Sequence, residues 1–62
     1  MKNNIKALRT ENKWSQEELG KRINVSRQAV NAIERDKHDP SLMLAFALSK
    51  VFDKTIEELF EP

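Results

Sequence analysis

The chain has 62 residues, a net charge of +1 at neutral pH and no cysteine. This length suits one small domain over residues 1–62, which buries a limited core and would gain stability by oligomerising. The composition excludes a disulfide framework and a thiolate metal site, and no apolar run is long enough for a membrane span or signal peptide, so we expect a cytoplasmic protein.

Charge is unevenly distributed along the chain. Residues 1–38 contain nine Lys and Arg against five Asp and Glu, whereas residues 39–62 contain two against five. A basic half favours a polyanionic partner such as nucleic acid. Ordinary solvated charge is the alternative, because polarity along a sequence is a loose guide to polarity on a surface.

The first predicted helix spans residues 2–12, with Ile5 and Leu8 toward the core. Trp14 follows it and stands just before the cap of the next helix. A large apolar residue there is expected to pack on Leu19 as a hydrophobic staple, with stacking on a nucleic-acid base as the alternative.

The second predicted helix spans residues 16–23. Ser15 precedes it and Glu18 stands three residues later, which predicts a reciprocal capping box. The unpaired backbone N–H groups and positive dipole end of this helix suit a phosphate, and Gln16 can add a side-chain donor there.

A tight corner at Asn24 separates the second helix from the third, which is predicted over residues 26–34. Asparagine tolerates the left-handed conformation that ends a helix. Gly20 costs helix stability relative to alanine, so its presence indicates that the two helices approach closely there. Ser26 is expected to cap the third helix.

The third helix turns polar side chains outward. With Val30 and Ile33 facing the core, Arg27, Gln28 and Asn31 lie on the outer face. Arginine can contact two acceptors of guanine, and glutamine or asparagine can contact adenine through one donor and one acceptor. For Arg27, contact with a phosphate without reading a base is the alternative.

These features together resemble a known family. The segment over residues 15–34 reads S-Q-E-E-L-G-K-R-I-N-V-S-R-Q-A-V-N-A-I-E. It is similar to the Xre or Cro/cI-type helix-turn-helix repressors of bacteria and phages, especially short stand-alone members such as the cytolysin-type repressors. The similarity continues into D-P-S-L, although Asn24 stands where the family usually has glycine. It implies an all-α, five-helix, lambda-repressor-like domain.

The resemblance also implies roles for individual residues. The positions that read bases in the family correspond to Arg27, Gln28, Asn31 and Ala32. At Ala32 the methyl group could touch thymine or simply permit close approach. Arg9 and Glu34 are expected to form a partly buried ion pair that orients the third helix near phosphates, with two exposed charges as the alternative.

Residues 35–40 are predicted to form a charged loop that ends in an Asp39-Pro40 turn. Together with the two helix starts, this loop supplies candidate phosphate contacts. They are Gln16, Ser26, Arg35, Lys37 and His38. Because the chain has no second histidine and no cysteine, His38 is not expected to bind a metal, and no cofactor is predicted.

The fourth and fifth helices are predicted over residues 42–52 and 56–60, the latter opened by a capping box of Thr55 and Glu58. So small a domain cannot easily bury all of its C-terminal apolar side chains. We therefore expect a homodimer that uses Met43, Phe52 and Phe60, unless these side chains close the core of one chain. Two-fold symmetry would set two recognition helices about 34 Å apart on a palindromic operator.

No feature indicates an enzyme. There is no glycine-rich phosphate loop, and most serines are explained as helix caps. The favoured function is a sequence-specific DNA-binding transcriptional regulator, specifically a repressor. Two alternatives are an antitoxin or immunity-type DNA-binding protein controlled by an unknown protein partner, and a protein-interaction module that does not bind DNA.

Overall fold

Five α-helices form the body of the molecule, for which a computed structural model describes residues 1–61. They are α1 (Ile5–Glu11), α2 (Gln16–Ile23), α3 (Arg27–Glu34), α4 (Leu42–Phe52) and α5 (Ile56–Leu59). Two short strands, β1 (Lys2–Asn3) and β2 (Phe60–Glu61), join the ends of the chain. The prediction of a five-helix, all-α fold is confirmed.

The first and last helices are shorter than predicted because both ends of the chain form strands. Lys2 pairs with Glu61 and Asn3 pairs with Phe60 in an antiparallel ladder. The side-chain oxygen of Asn3 accepts a hydrogen bond from the backbone N–H of Ile5 at 3.1 Å. Such bonds compete with helical ones, so α1 begins at residue 5 instead of residue 2.

Serine hydroxyls cap three helices. Each accepts a hydrogen bond from the backbone N–H three residues later: Ser15 from Glu18, Ser26 from Ala29 and Ser41 from Leu44. The predicted box at Ser15 is only half formed. The Glu18 carboxylate pairs with Arg22 at 2.9 Å, one helical turn along the exposed face, and not with the backbone of Ser15.

The box at Thr55 and Glu58 forms in full. Hydrogen bonds that the backbone N–H and the side-chain hydroxyl of Thr55 donate to the Glu58 carboxylate hold the pKa of Glu58 below its ordinary value. The ionised Glu58 carboxylate therefore stabilises α5 fully at pH values above the pKa of an unfolded glutamate. This stabilisation is lost as the pH falls through the lowered pKa of the folded state.

The corner between α2 and α3 is as tight as the sequence indicates. Asn24 ends α2 in the left-handed conformation, with φ of 63° and ψ of 43°. The next backbone N–H, of Val25, donates to the carbonyl of Gly20 at 2.8 Å. A Cβ atom on Gly20 would lie 2.6 Å from the carbonyl oxygen of Val25, so only glycine fits this approach without displacing backbone.

One apolar core lies between the helices. Its buried side chains are Ile5, Leu19, Ile23, Val30, Ile33, Ala45, Leu48, Phe52, Leu59 and Phe60. Phe52 and Phe60, expected at a dimer interface, are only 8% and 6% exposed. That expectation is wrong for both, because they complete the core of a single chain. Met43 instead lies on the surface, 80% exposed.

Trp14 packs half-buried against this core. Its ring centroid lies 5.7 Å from that of Phe52, and the Arg22 guanidinium lies 4.2 Å from the centroid of the indole ring. Both contacts agree with a packing role for Trp14. Within the described residues 1–61, none of the helices has the length and apolar character needed to cross a membrane.

Candidate nucleic-acid interface

The exposed face of α3 lies opposite the face that packs in the core. Val30 and Ile33 are packed in the core, which leaves Arg27 and Gln28 exposed and Asn31 half-buried on the opposite side. The Ser26 cap and the Asn24 corner start α3 at Arg27, so these polar side chains occupy its first turns.

An open groove of about 290 Å³ lies along this face. Arg27, Gln28 and Asn31 line it, and Gln16 joins them from the first turn of α2. The helix-turn-helix corner thus brings one guanidinium and three amides together, a set that can donate and accept hydrogen bonds. Ala32 is half-buried beside them and does not line the groove.

A buried ion pair lies behind the groove. Arg9 Nε donates to Glu34 Oε2 at 2.6 Å, and Arg9 Nη2 donates to Glu34 Oε1 at 3.2 Å. The Glu34 side chain is only 2% exposed. Gln16 Nε2 also donates to Glu34 Oε1, at 3.0 Å. The end of α3 is therefore tied to both α1 and α2.

Cationic side chains follow α3. Arg35, Lys37 and His38 are exposed in the loop before α4. Among residues 1–61, no salt bridge includes Arg27, Arg35 or Lys37. At the other end of α3 the Ser26 hydroxyl oxygen accepts from Ala29, so its hydrogen remains available to donate.

Two contacts near this surface were not predicted. One is the hydrogen bond from Gln16 to Glu34, and the other joins Asn3 Nδ2 to the carbonyl oxygen of Ile33 at 2.9 Å. Gln16 and Glu34 are 18 positions apart in the sequence, and Asn3 and Ile33 are 30 positions apart. No periodic pattern or short motif signals such pairs, because each depends on how separate elements pack.

A family model described as helix-turn-helix matches residues 5–59. A protein of Methanocaldococcus jannaschii is 48% identical over 60 residues, which cover 97% of this chain and 91% of that protein. YgzD of Bacillus subtilis is 45% identical with the same coverage, and an Archaeoglobus fulgidus protein is 40% identical, with 84% of its length covered. All three proteins are named as uncharacterized HTH-type transcriptional regulators.

Proposed function

We propose that this chain, which belongs to the Xre/Cro-cI-type helix-turn-helix family of DNA-binding transcriptional regulators, is a repressor. It would bind a palindromic operator as a homodimer and occlude a promoter. The observation that carries the proposal is the groove lined by Gln16, Arg27, Gln28 and Asn31. As a DNA-binding regulator, the protein would act in the cytoplasm.

The first turns of α3 would enter the major groove. There Arg27 would donate two hydrogen bonds to guanine, while Gln28 and Asn31 would each match the donor and acceptor of adenine. Ala32 would lie close to the base edges, where its methyl group can contact that of thymine. These contacts supply sequence specificity.

Side chains at both ends of α3 would hold the DNA backbone. Gln16 and Ser26 would donate to phosphates near the helix start, and Arg35, Lys37 and His38 would lie near those beyond its end. Backbone contacts of this kind fix the register of the protein on the duplex without reading sequence. Separating the two classes of contact is the sharpest test of the proposal.

Replacing Arg27 with alanine is expected to cost about 1–3 kcal/mol of binding free energy on the true operator and little on random DNA, because a base contact is lost. Lys37→Ala is the matched control. It should weaken binding to both DNAs alike and reduce the salt dependence by about one counterion, because a phosphate contact is lost.

The operator for these measurements would first be selected from random duplexes by the protein itself. Fluorescence anisotropy over a range of salt concentrations would then give affinity and salt slope together. An equal loss on operator and random DNA for Arg27→Ala would show that this residue contacts only the backbone, and base reading by Arg27 would be abandoned.

The homodimer is proposed to form through the outer face of α4. Leu42, Met43 and Phe46 expose most or half of their side chains there, and Ala47 lies beside them. A small domain gains stability by covering such a patch. A second copy is the occupant that a palindromic operator requires, because two-fold symmetry brings the same face of both chains together.

Met43→Glu combined with Phe46→Glu is expected to shift the protein to monomer, because two charges would be desolvated at the contact. Sedimentation equilibrium across a concentration series would measure this, with Ala7→Glu on the exposed face of α1 as the control. If the unaltered protein stays monomeric at high concentration and on its selected operator, the homodimer proposal is wrong, although each domain could still bind DNA.

A further inference from the structure

We propose that Glu34 positions Gln16 for its contact with the DNA backbone, in addition to pairing with Arg9. This inference rests on the proposed function, in which Gln16 donates to a phosphate. It adds a role for a residue that does not itself reach DNA.

The geometry gives Glu34 two partners at one oxygen. Its Oε1 atom accepts from Gln16 Nε2 at 3.0 Å and from Arg9 Nη2 at 3.2 Å, while Oε2 accepts from Arg9 Nε at 2.6 Å. At 2% exposure the carboxylate is nearly closed to water, so solvent does not compete for these bonds. The carboxylate is therefore a fixed anchor for the Gln16 amide.

The chemistry of the carboxylate determines which end of the amide it holds. An ionised carboxylate only accepts hydrogen bonds, so it must face the NH₂ group of Gln16 and not its oxygen. That group has two hydrogens, and within residues 1–61 only the bond to Glu34 uses one of them. The Gln16 side chain also lines the groove with Arg27, Gln28 and Asn31. The second hydrogen is left to donate to a phosphate.

Loss of this anchor would release the amide to several rotamers. Binding to DNA would then have to order a flexible side chain, so the affinity should fall about two- to tenfold, which corresponds to the cost of immobilising one such side chain. A neutral amide releases no counterion when it binds a phosphate. The dependence of affinity on salt should therefore stay unchanged, unlike the effect expected for Lys37→Ala.

The test is a double-mutant cycle of Gln16→Met and Glu34→Asp, measured by fluorescence anisotropy on a random-sequence duplex at fixed low salt. Glu34→Asp keeps a negative charge near Arg9 but withdraws the carboxylate from both Arg9 and Gln16 by one methylene, so the cycle with Gln16→Met isolates the part that acts through Gln16. Each single variant should bind about two- to tenfold more weakly. The double variant should bind no more weakly than Gln16→Met alone, because Glu34 then has no Gln16 amide left to position.

Glu18→Asp is the matched control, since Glu18 lies on α2 but pairs with the exposed Arg22. It should bind as the unaltered protein does. If the losses from Gln16→Met and Glu34→Asp multiply, Glu34 does not act through Gln16 and the inference is wrong. If Gln16→Met binds normally, the inference is also wrong, while binding by α3 stands. Failure of the unaltered protein to bind any duplex would instead overturn the proposed function.

A second measurement avoids any dependence on the folding of Glu34→Asp. In NMR spectra of the unaltered protein, the side-chain amide hydrogens of Gln16 should exchange with water more slowly than those of the exposed Gln28, because one of them is bonded to Glu34 inside the protein. Addition of the random duplex should shift this resonance pair. Exchange with water as fast for Gln16 as for Gln28 in the free protein, or no shift of the Gln16 signals on adding duplex, would overturn the inference.

Discussion

Replacement of Arg9 by alanine is expected to lower the free energy of unfolding by about 3–5 kcal/mol, the usual cost of removing one partner from a buried ion pair. The carboxylate of Glu34, which is 2% exposed in the intact protein, would keep Gln16 as its sole side-chain partner among residues 1–61. The carbonyl of Trp14 would also lose its hydrogen bond from Arg9 Nη1, now 2.8 Å long. Thermal and urea unfolding followed by circular dichroism would measure the loss.

An exposed pair on the same protein provides the comparison. Glu18 and Arg22 are each 44% exposed, so Glu18→Gln should cost less than about 1 kcal/mol. Replacing both Arg9 and Glu34 with methionine should recover part of the loss from Arg9→Ala, because no charge is then left buried. Equal, small losses from Arg9→Ala and Glu18→Gln would show that the buried pair has no special energetic role.

A large side chain at Gly20 is expected to have an effect of similar size. Gly20→Leu should destabilise the protein by about 3 kcal/mol or more, the upper end for overpacking, because its Cβ would lie 2.6 Å from the Val25 carbonyl oxygen. Leucine gains only about 1 kcal/mol over glycine in helix propensity. The clash is with backbone at the start of α3, which cannot rotate away as a side chain can.

Lys21→Leu is the control for this change, because the neighbouring position on α2 is exposed. It introduces the same side chain and should alter stability by no more than about 0.5 kcal/mol. Gly20→Leu should also weaken operator binding in whatever fraction stays folded, since α3 must move. If Gly20→Leu has the same free energy of unfolding and the same DNA affinity as the unaltered chain, close packing at the corner is refuted.

Both predictions concern how firmly α3 is held. Its first residue follows the corner at Gly20 and Asn24, and its last residue, Glu34, is bonded to α1 and α2. The carbonyl of Ile33 accepts a further hydrogen bond from Asn3. A helix fixed at both ends keeps the polar side chains on its outer face in one geometry, and preorganisation of this kind favours affinity and specificity.

Local rules let the sequence by itself determine the helix-turn-helix. Ser15 and Ser26 as caps and Asn24 as a left-handed helix end each depend on residues within one helical turn, and all appear as expected. The inward positions of Val30 and Ile33 follow from helical period alone, and with them the outward face that carries Arg27.

Only the tertiary structure decided the contacts between distant residues. The strands at the two ends of the chain replace predicted helical turns, and Phe52 and Phe60 enter the core instead of a dimer interface. Gln16 turns toward Glu34, a bond that no local pattern signals. The physical reason is common to all three: a backbone segment or a side chain has several acceptable partners in sequence, and the packing of the helices selects which one it meets.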